Sequence, residues 1–253
     1  VLNKKEMLNM SKELAVVLSS GGVDSTTAVG MAVDLFGAEN VVTVSVFYGQ
    51  KHMVELECAS KIAKYYGVQH IELNLSKLME YSNCSLLSSS TEEIRHESYA
   101  EQIAKDGEGM VRTYVPFRNG LLLSSVATIA MSLLEDGKHD RAFIYLGAHA
   151  DDAAGEAYAD CSVQFTEAMN EAIKIGTYNK VSVRAPFVNM TKKDIVHLGL
   201  KYKVPYELTH SCYEGERPCC GTCGTCIDRI NAFKANGAVD PVPYKIKIDW
   251  EEK

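Results

Sequence analysis

The sequence predicts a three-layer α/β protein with a mostly parallel, five-stranded sheet and a cysteine-rich segment near the C-terminus. Short apolar runs alternate along the chain with longer helix-compatible stretches, as in folds whose parallel strands are joined by helices. Several of these stretches stop at a glycine, which is typical of helix ends. Five cysteines fall within fifteen residues and set the C-terminal segment apart from the rest of the chain.

Five apolar runs are the candidate strands. The first, Leu14–Ser19, ends at a Gly-Gly turn, and the second, Val41–Phe47, is β-branched and apolar, as buried parallel strands are. The other three are His70–Leu75, Ala142–Gly147 and Val181–Pro186. Ligands of such sheets bind beyond the carboxyl ends of the strands. The residues that follow each strand are therefore the first candidates for a functional site.

The stretches between the strands predict helices on both faces of the sheet. Asp24–Phe36 and Val54–Tyr66 each stop at a glycine. The longest apolar stretch, Leu121–Leu134, contains four hydroxyl residues and is too short to cross a bilayer, so it predicts a helix buried against other protein. Phe165–Ile175 is the fourth predicted helix.

Composition and charge restrict the classes of function. The chain of 253 residues is 46% hydrophobic, which is ordinary for a globular protein and excludes disorder as the main state. Its formal net charge of −7 argues against direct binding to nucleic acid, which relies on neutralising phosphates, but it leaves small charged ligands open. The first ten residues lack the apolar core of a secretory signal, so we expect a cytoplasmic protein with no membrane association.

The pattern also predicts how the chain is divided. Residues 1–10 are expected to form a flexible N-terminal extension, residues 11–205 the α/β domain, and residues 206–253 a metal-binding segment packed on that domain. One stretch inside the domain breaks the alternation: the serine-rich Tyr81–Thr91 and the charged Glu92–Gly109 that follows it. This stretch is either a surface excursion or a lid that orders over a substrate.

The segment between the first strand and the first helix predicts an anion site. Two glycines allow close backbone approach, the helix start offers free N–H groups, and the hydroxyls of Ser20, Ser25 and Thr26 add donors. The segment contains neither GxxxxGK[ST] nor GxGxxG, so it is not a Walker loop or a dinucleotide fingerprint. The alternative is purely structural: Gly-Gly makes the turn and Asp24 or Ser25 caps the helix. The whole string, after a buried strand, favours the anion site.

The C-terminal cysteines predict a metal site. Their spacing is Cys212-x7-Cys220-x2-Cys223-x2-Cys226, and four thiolates so spaced can close tetrahedrally on Zn²⁺. Counting alone does not separate Cys220 from the adjacent Cys219, although the CxxC rhythm selects Cys220. An iron–sulfur cluster and a redox dithiol are the alternatives, and zinc is favoured because short CxxC turns suit a structural site.

Other polar strings follow the later strands. Tyr48-Gly49-Gln50-Lys51-His52 stands where contacts to a nucleotide base would fall, unless it is only a turn. Arg118 can bind a carboxylate or phosphate bidentately, whereas Asn119 beside it can bind a ligand or cap the following helix. His149 follows the fourth strand.

Two further strings lie nearer the C-terminus. Asp160, in Tyr158-Ala159-Asp160-Cys161, can accept two N–H bonds from a guanine-like ring, or it can cap the helix that begins near Val163. Thr191 and Asp194 have capping-box spacing, which puts Lys192 in the first helical turn, within reach of phosphate. For any one of these strings alone the structural alternative is the better interpretation.

The string SGGVDS, from Ser20 to Ser25, resembles the PP-loop signature of the ATP pyrophosphatases. This resemblance implies a sheet of the PP-loop, adenine nucleotide alpha-hydrolase-like type, and it implies that the loop binds the pyrophosphate portion of ATP with Mg²⁺. Further strings make the chain similar to the 7-cyano-7-deazaguanine synthase family over about residues 12–244. These strings are YGQKH, VPFRN, YxDC, the Thr-Lys pair before a helix, THSCYEG, CGTCGTC and DPVPY.

The family resemblance implies a carbon–nitrogen ligase of queuosine biosynthesis, the pathway of a tRNA modification. Its substrates would be ATP, 7-carboxy-7-deazaguanine and ammonia. Adenylation of the carboxylate, attack by ammonia to give an amide, and adenylation of the amide oxygen would lead to 7-cyano-7-deazaguanine, with AMP and pyrophosphate released. Free ammonia is expected because the chain has no second domain large enough for a glutaminase. A homodimer is an expectation taken from the family alone.

The resemblance also assigns residues. The catalytic set is Asp24, Ser25 and Lys192. The ATP-binding set is Ser19, Ser20, Gly21, Gly22, Val23, Asp24, Ser25, Thr26, Thr27 and Tyr48. The substrate-binding set is Gln50, His52, Arg118, Asn119, His149, Tyr158 and Asp160. The ligands of a structural Zn²⁺ are Cys212, Cys220, Cys223 and Cys226.

Two features depart from the family pattern. Its usual YPDC reads Tyr158-Ala159-Asp160-Cys161 here, and Cys219 is an extra thiol beside the metal set. Neither removes a predicted functional group, although the first can alter the loop that carries Asp160. Two rival functions remain at this point: a tRNA thiolation enzyme, which predicts a basic face and a redox-active cysteine, and a non-enzymatic zinc-binding interaction module.

Overall fold

Five parallel strands, in the order β3-β2-β1-β4-β5, form the centre of the structure, a computed structural model. Their bounds are β1 Glu13–Leu18, β2 Val41–Phe47, β3 Gln69–Asn74, β4 Arg141–Tyr145 and β5 Val181–Arg184. The structure describes residues 12–51, 53–97, 101, 104–105, 113–153 and 158–251. The predicted N-terminal extension, residues 1–10, lies outside them.

Strands β1 and β2, in the interior of the sheet, are buried along most of their length because helices cover both faces. Every residue of β1 from Leu14 to Leu18 is buried, and β2 is buried up to Val46. The edge strand β3 instead contains only exposed and partly buried residues. From β1 the chain runs outward to β2 and β3, and then returns to place β4 on the other side of β1. A crevice therefore opens at the carboxyl ends of β1 and β4, where this sheet changes direction.

Six helices of ten or more residues surround the described part of the sheet. They are α1 Val23–Phe36, α2 Val54–Tyr66, α3 Arg118–Leu133, α4 Val163–Gly176, α5 Lys192–Lys201 and α6 Gly224–Ala235. Apolar residues of α3 and α4 cover one face of the sheet, and those of α1, α2 and α5 cover the other. The predicted three-layer α/β fold is confirmed.

The boundaries differ from the predicted ones where polar residues open a helix. Helix α3 begins three residues before Leu121, at Arg118, because Phe117 adopts a left-handed conformation (φ 51°) and stands as its N-cap. Helix α4 begins at Val163 and is capped by Ser162, whose side chain accepts the N–H of Phe165 at 3.2 Å. An apolar pattern does not register polar residues such as Arg118 and Asn119 of α3 or Gln164 of α4 at the start of a helix. Of the helices described, none combines the length and apolar character that a bilayer span requires.

The C-terminal segment packs through α6, which the strand-and-helix pattern did not predict. Phe233 and Ala232 of α6 join Val196 of α5, Tyr206 and Val23 in one buried apolar cluster. The segment therefore shares packing with α1 and α5. The division at residue 205 remains a prediction.

Candidate active site

The carboxyl ends of β1, β2 and β4 open into a cavity of about 260 Å³. The loop between β1 and α1 lines one part of it, together with Lys192 at the start of α5. Tyr48 after β2 and Arg118 of α3 line another part. The cysteine-rich segment closes the cavity with Ser211, Cys212 and Tyr213. Residues predicted from four separate sequence strings thus meet in one place.

Hydroxyl groups hold the glycine-rich loop in shape. The Ser20 N–H donates to Ser25 Oγ at 3.1 Å, the two hydroxyls lie 3.0 Å apart, and the Gly22 N–H donates to Ser20 Oγ at 3.3 Å. Gly22 is the N-cap of α1 and makes no side-chain cap. The alternative in which Asp24 or Ser25 caps this helix is therefore wrong. The N–H groups of the first turn of α1 lie at the cavity, which is the arrangement that binds anions.

Gly21 is needed where this loop crosses α2. Its φ is +84°, and a Cβ atom would lie 2.3 Å from the carbonyl oxygen of Glu55 and 2.8 Å from the nitrogen of Ala59. Its own carbonyl accepts the N–H of His210 at 2.9 Å. The loop is thus fixed between α2 and the segment that leads to the cysteines.

Two residues of the predicted ATP-binding set turn away from the cavity. The Thr26 hydroxyl donates to the Gly22 carbonyl at 2.6 Å, so it is not the anion donor that the sequence predicted. The Thr27 hydroxyl donates to the Val23 carbonyl at 2.8 Å and contacts Tyr206 Oη at 2.8 Å. Both threonines are fully buried. Their hydroxyls satisfy the helix and the core.

Lys192 and Asp24 form a charged pair at the loop. Lys192 Nζ donates to Asp24 Oδ2 at 2.5 Å, and its backbone N–H donates to Asp151 Oδ2 at 2.7 Å. Burial alone would raise the pKa of Asp24, but Lys192 and then His149 reverse this and hold it below its usual value. The predicted capping box of Thr191 and Asp194 is confirmed, and it places Lys192 in the first turn of α5.

His149 lies behind this pair. The ring is 1% exposed, with Nε2 3.2 Å from Asp152 Oδ2 and 3.8 Å from Asp24 Oδ2. Asp24 and Asp152 line the cavity, whereas His149 does not. The structure therefore brings His149 to the carboxylates of the site and not to its open space.

Arg118 and Tyr48 form a second polar region of the cavity. Arg118 Nη1 donates to Tyr48 Oη at 3.2 Å, and its guanidinium carbon lies 5.4 Å from the centre of the Tyr48 ring. Burial would lower the pKa of Arg118, but Tyr48, Cys161 and Asp160 raise it, so the guanidinium stays charged. A planar cation in a cavity wall suits the binding of a carboxylate or phosphate.

Asn119 and Asp160 are bonded to each other at the start of α3. Asp160 Oδ2 accepts the backbone N–H of Asn119 at 2.9 Å, and Asn119 Nδ2 donates to the Asp160 carbonyl at 2.9 Å. Burial raises the pKa of Asp160. Asn119 lines the cavity, whereas Asp160 is 5% exposed and does not. The alternative that Asp160 caps the helix near Val163 is wrong, because Ser162 caps that helix and Asp160 serves α3.

The remaining predicted substrate residues differ in whether they line the cavity. Gln50 lines the cavity, and its Oε1 accepts the Tyr48 N–H at 2.8 Å. Tyr158 is buried, and its hydroxyl is hydrogen-bonded to Thr113. His52 lies outside the described residues.

The serine-rich stretch forms part of the cavity wall. Gln50 pairs with Leu87 in an isolated antiparallel bridge, the Lys51 N–H donates to the Leu86 carbonyl at 2.9 Å, and Leu86 itself lines the cavity. A surface excursion is therefore the wrong interpretation for this part of the stretch. Of the charged part that follows it, residues 98–100, 102–103 and 106–109 lie outside the described residues.

Some lining residues were missed by the sequence reasoning. Glu55, in the first turn of α2, has its pKa raised by burial to about 7, against the opposing effects of His210 and Arg118. Asp228 of α6 has its pKa raised by burial to about 6. No motif marks either residue, since each is one carboxylate among the polar residues of an amphipathic helix.

The four predicted cysteines lie together and are buried. The sulfur atoms of Cys212, Cys220, Cys223 and Cys226 all fall within 4.8 Å of one another. The N–H groups of Thr222 and Cys223 donate to Cys220 Sγ at 3.4 and 3.3 Å. Four thiols with such donors are the ligand set of a tetrahedral metal or an iron–sulfur cluster, so the residues fit a metal.

Cys219 lies beside this group, and its thiol interacts with those of Cys212 and Cys226. Its backbone pairs with the residues that follow α6. The Cys219 carbonyl accepts the Lys245 N–H at 2.8 Å, and the Cys219 N–H donates to the Pro243 carbonyl at 2.9 Å. Within the described residues the four-sulfur group contains Cys220 and excludes Cys219. The choice between these neighbours agrees with the CxxC rhythm.

A buried ion pair connects the residues that follow α6 to the cavity. Arg229 Nε donates to Asp240 Oδ2 at 2.6 Å, with side chains 2% and 0% exposed. Arg229 also donates to Thr209 Oγ1 at 2.8 Å and to Ser211 Oγ at 3.3 Å, and Tyr244 Oη donates to Asp240 at 2.6 Å. Both Arg229 and Ser211 line the cavity.

A doubly wound parallel sheet, a glycine-rich loop after its first strand and a cavity closed by a four-cysteine segment are the features of an α/β enzyme with a polar small-molecule site. The family model described as Queuosine biosynthesis protein QueC matches residues 14–237. The chain belongs to this family of queuosine biosynthesis enzymes. A non-enzymatic interaction module is therefore the wrong interpretation.

Curated relatives are similar over nearly the whole chain. The 7-cyano-7-deazaguanine synthase of Archaeoglobus fulgidus is 42% identical over 90% of this chain and 89% of its own. The synthase of Caldicellulosiruptor saccharolyticus is 40% identical over 94% and 99%. That of Oceanobacillus iheyensis is 37% identical over 93% and 100%.

Two solved structures are more distant. The U34-tRNA thiolase NcsA from Methanococcus maripaludis, with its 4Fe-4S cluster, has a TM-score of 0.46 at 16% identity, and covers 93% of this chain and 70% of its own. The NMN synthetase from Francisella tularensis has a TM-score of 0.45 at 12% identity, and covers 83% and 69%.

Proposed function

We propose that this chain converts 7-carboxy-7-deazaguanine, ATP and ammonia to 7-cyano-7-deazaguanine, with AMP and pyrophosphate released. The observation that carries this proposal is one cavity that joins the glycine-rich loop to the partly buried guanidinium of Arg118. The loop suits pyrophosphate and Arg118 suits the carboxylated substrate. The relatives named for this activity match the chain almost end to end.

The loop residues would act on the phosphates. The first-turn N–H groups of α1 and the Ser20 and Ser25 hydroxyls would bind the pyrophosphate that departs when a carboxylate oxygen attacks the α-phosphorus of ATP. Lys192, held by Asp24 at 2.5 Å, would neutralise charge that grows on the phosphates. This interaction strengthens as the bond to pyrophosphate breaks, so it lowers the barrier.

The Tyr48–Arg118 region would bind the deazaguanine. Arg118 would hold the carboxylate, with Asn119 and Gln50 in contact with the ring. Asp160 would then act through Asn119, whose backbone N–H and side chain it fixes. His149 and Tyr158 would support this wall and the carboxylates from behind.

Two metals belong to the proposal. Zn²⁺ would be held by the four cysteines and would stabilise the segment that closes the cavity. Mg²⁺ would accompany the ATP phosphates, and Asp24 Oδ1 fits it: the atom is buried and, among the described residues, has no hydrogen-bond partner. The bound Mg²⁺ would supply charge neutralisation at the phosphates.

A product assay tests the function. The metal-loaded protein is incubated with ATP and ammonia, with and without 7-carboxy-7-deazaguanine. We expect AMP and pyrophosphate to form only with the deazaguanine, together with the nitrile. ADP and phosphate as the only nucleotide products, or sulfur transfer to tRNA in place of nitrile formation, would contradict the proposal.

A further inference from the structure

Four acidic side chains line the described part of the cavity: Asp24, Glu55, Asp152 and Asp228. Three of them belong to the region of the loop. Asp24 is bonded to Lys192, and Asp152 and Asp228 both interact with that same lysine. These carboxylates offset the charge of Lys192 and are placed for the phosphates.

Glu55 stands in the other region. The charged and titratable groups that face it are Arg118 of α3, Tyr48 after β2, and His210 and Cys212 of the C-terminal segment. Among the described residues no hydrogen bond occupies its carboxylate. The Arg118 region would hold the carbon that reacts, so Glu55 is the lining carboxylate that shares this region with the chemistry that follows adenylation.

The backbone of Glu55 is fixed. Its carbonyl packs against Gly21 so closely that a Cβ there would come within 2.3 Å. The side chain is therefore projected from a helix that is locked to the anion-binding loop. A group that transfers a proton needs such fixed placement relative to the reacting atoms.

We propose that Glu55 is the base that accepts the protons lost by nitrogen when ammonia becomes the nitrile. This inference rests on the proposed function. In the first half, the nitrogen lone pair of ammonia forms the C–N bond, the C–O bond breaks with its electron pair leaving on AMP, and Glu55 takes one nitrogen proton.

In the second half the amide nitrogen loses both of its remaining protons. One passes to Glu55 as the amide oxygen attacks ATP and displaces pyrophosphate, which gives an imidoyl adenylate. The other passes to Glu55 as AMP departs with the C–O electron pair, and the N–H pair becomes the third C–N bond. Between these steps Glu55 returns its proton to water, so the balance needs no further reactant.

The test separates adenylation from C–N bond formation in the metal-loaded full chain. The variant is Glu55→Gln, which keeps the shape and removes the base. Its control is Glu57→Gln, on the same helix but exposed and 3.9 Å from Lys61. Adenylation is measured as the substrate-dependent exchange of labelled pyrophosphate into ATP in the absence of ammonia. C–N bond formation is measured as the total amount of amide and nitrile formed.

We expect Glu55→Gln to lower product formation by about 100-fold, the usual contribution of a positioned base, with exchange nearly unchanged. Glu57→Gln should match the wild type in both. Glu55→Asp, which keeps a carboxylate, should retain more product formation than Glu55→Gln.

Two results would overturn the proposal. Product formation by Glu55→Gln within a few-fold of the wild type excludes a base role. Exchange that falls in parallel with product formation makes Glu55 part of the ATP site. Melting temperature and metal content identify a variant that has not folded, and Glu55→Asp then decides between these roles. Wild-type protein that shows no substrate-dependent exchange refutes the proposed function itself, and it does so without any variant.

Discussion

Gly21 shows how a single residue fixes the glycine-rich loop between β1 and α1. We expect Gly21→Ala to lower the free energy of unfolding by about 2–5 kcal/mol, because the left-handed conformation and the clash with the Glu55 carbonyl both act against it. Gly137→Ala is the control: its φ is +73°, but nothing lies within 4 Å of the added carbon. That variant should lose only about 1 kcal/mol.

Urea unfolding measures both losses, and pyrophosphate exchange measures the effect on the loop. Equal destabilisation of the two variants would mean that the backbone conformation alone matters and that contact with α2 does not. Exchange retained by Gly21→Ala would mean that the loop does not depend on this crossing.

The Lys192–Asp24 pair gives stability a pH dependence. The pKa of Asp24 is lowered in the folded state, so its contribution is present above its unfolded pKa of about 3.9 and is lost as pH falls through the folded value. Lys192→Met removes the partner. We expect it to cost about 1.5–3 kcal/mol at pH 7 and progressively less in acid.

The exposed neighbour Lys193 provides the control, as Lys193→Met, for the change in charge. Unfolding curves at several pH values compare the three proteins. If the loss of unfolding free energy in Lys192→Met does not change with pH, the loss comes from packing and not from the ion pair.

Sequence reasoning at the residue scale succeeded where local chemistry decides. The capping box fixes Thr191 and therefore the place of Lys192, and this could be predicted from spacing. The hydrogen-bond partners of the Thr26 and Tyr158 hydroxyls could not be predicted, because the direction in which a hydroxyl points depends on packing against distant parts of the chain. Glu55 was missed because burial, and not residue type, shifts its pKa.

At the scale of elements, the cysteine segment should depend on its metal. We expect one zinc per chain, and Cys212→Ser should lose the metal and lower the melting temperature, since structural zinc supplies roughly 10–16 kcal/mol of apparent binding energy. Cys219→Ser should retain the metal. Elemental analysis and thermal unfolding check these outcomes. Stoichiometric iron and sulfide without zinc would identify a cluster, and loss of metal from Cys219→Ser would mean that Cys219 is a ligand.

Helix α3 shows how the start of an element links stability to the site. Asp160→Ala removes the acceptor of the Asn119 N–H, and we expect a loss of about 1–2 kcal/mol because that buried donor is left unpaired. The Michaelis constant for the deazaguanine should rise while that for ATP stays unchanged. Ser162→Ala is the matched control at the cap of α4. If only stability falls, Asp160 has no influence on substrate binding.

The strands could be predicted to within a residue or two because the apolar runs of a doubly covered sheet are continuous. Helices were less exact where they open on polar residues, as α3 does at Arg118. Helix α6 escaped prediction because it starts among the cysteines, whose spacing is set by metal geometry and hides the helical period.

For the molecule as a whole, the buried Arg229–Asp240 pair connects the residues that follow α6 to the wall of the cavity. We expect Asp240→Asn to lower the free energy of unfolding by about 3–5 kcal/mol, because it leaves a buried guanidinium without its counter-ion. Asp140→Asn breaks an exposed pair with Lys12 and should change little. Calorimetry compares the two, and similar small losses would show that the pair is not needed for folding. Light scattering, which measures the molar mass in solution, tests the predicted homodimer.

The place of this ion pair in the chain also sets the order in which the protein becomes competent during translation. All five strands have left the ribosome once Arg184 has emerged, so a nascent chain can form the sheet early. The fourth cysteine and Asp240 are translated after all five strands. A growing chain can therefore form its sheet while the pocket is still open, before the segment that closes the pocket has been translated.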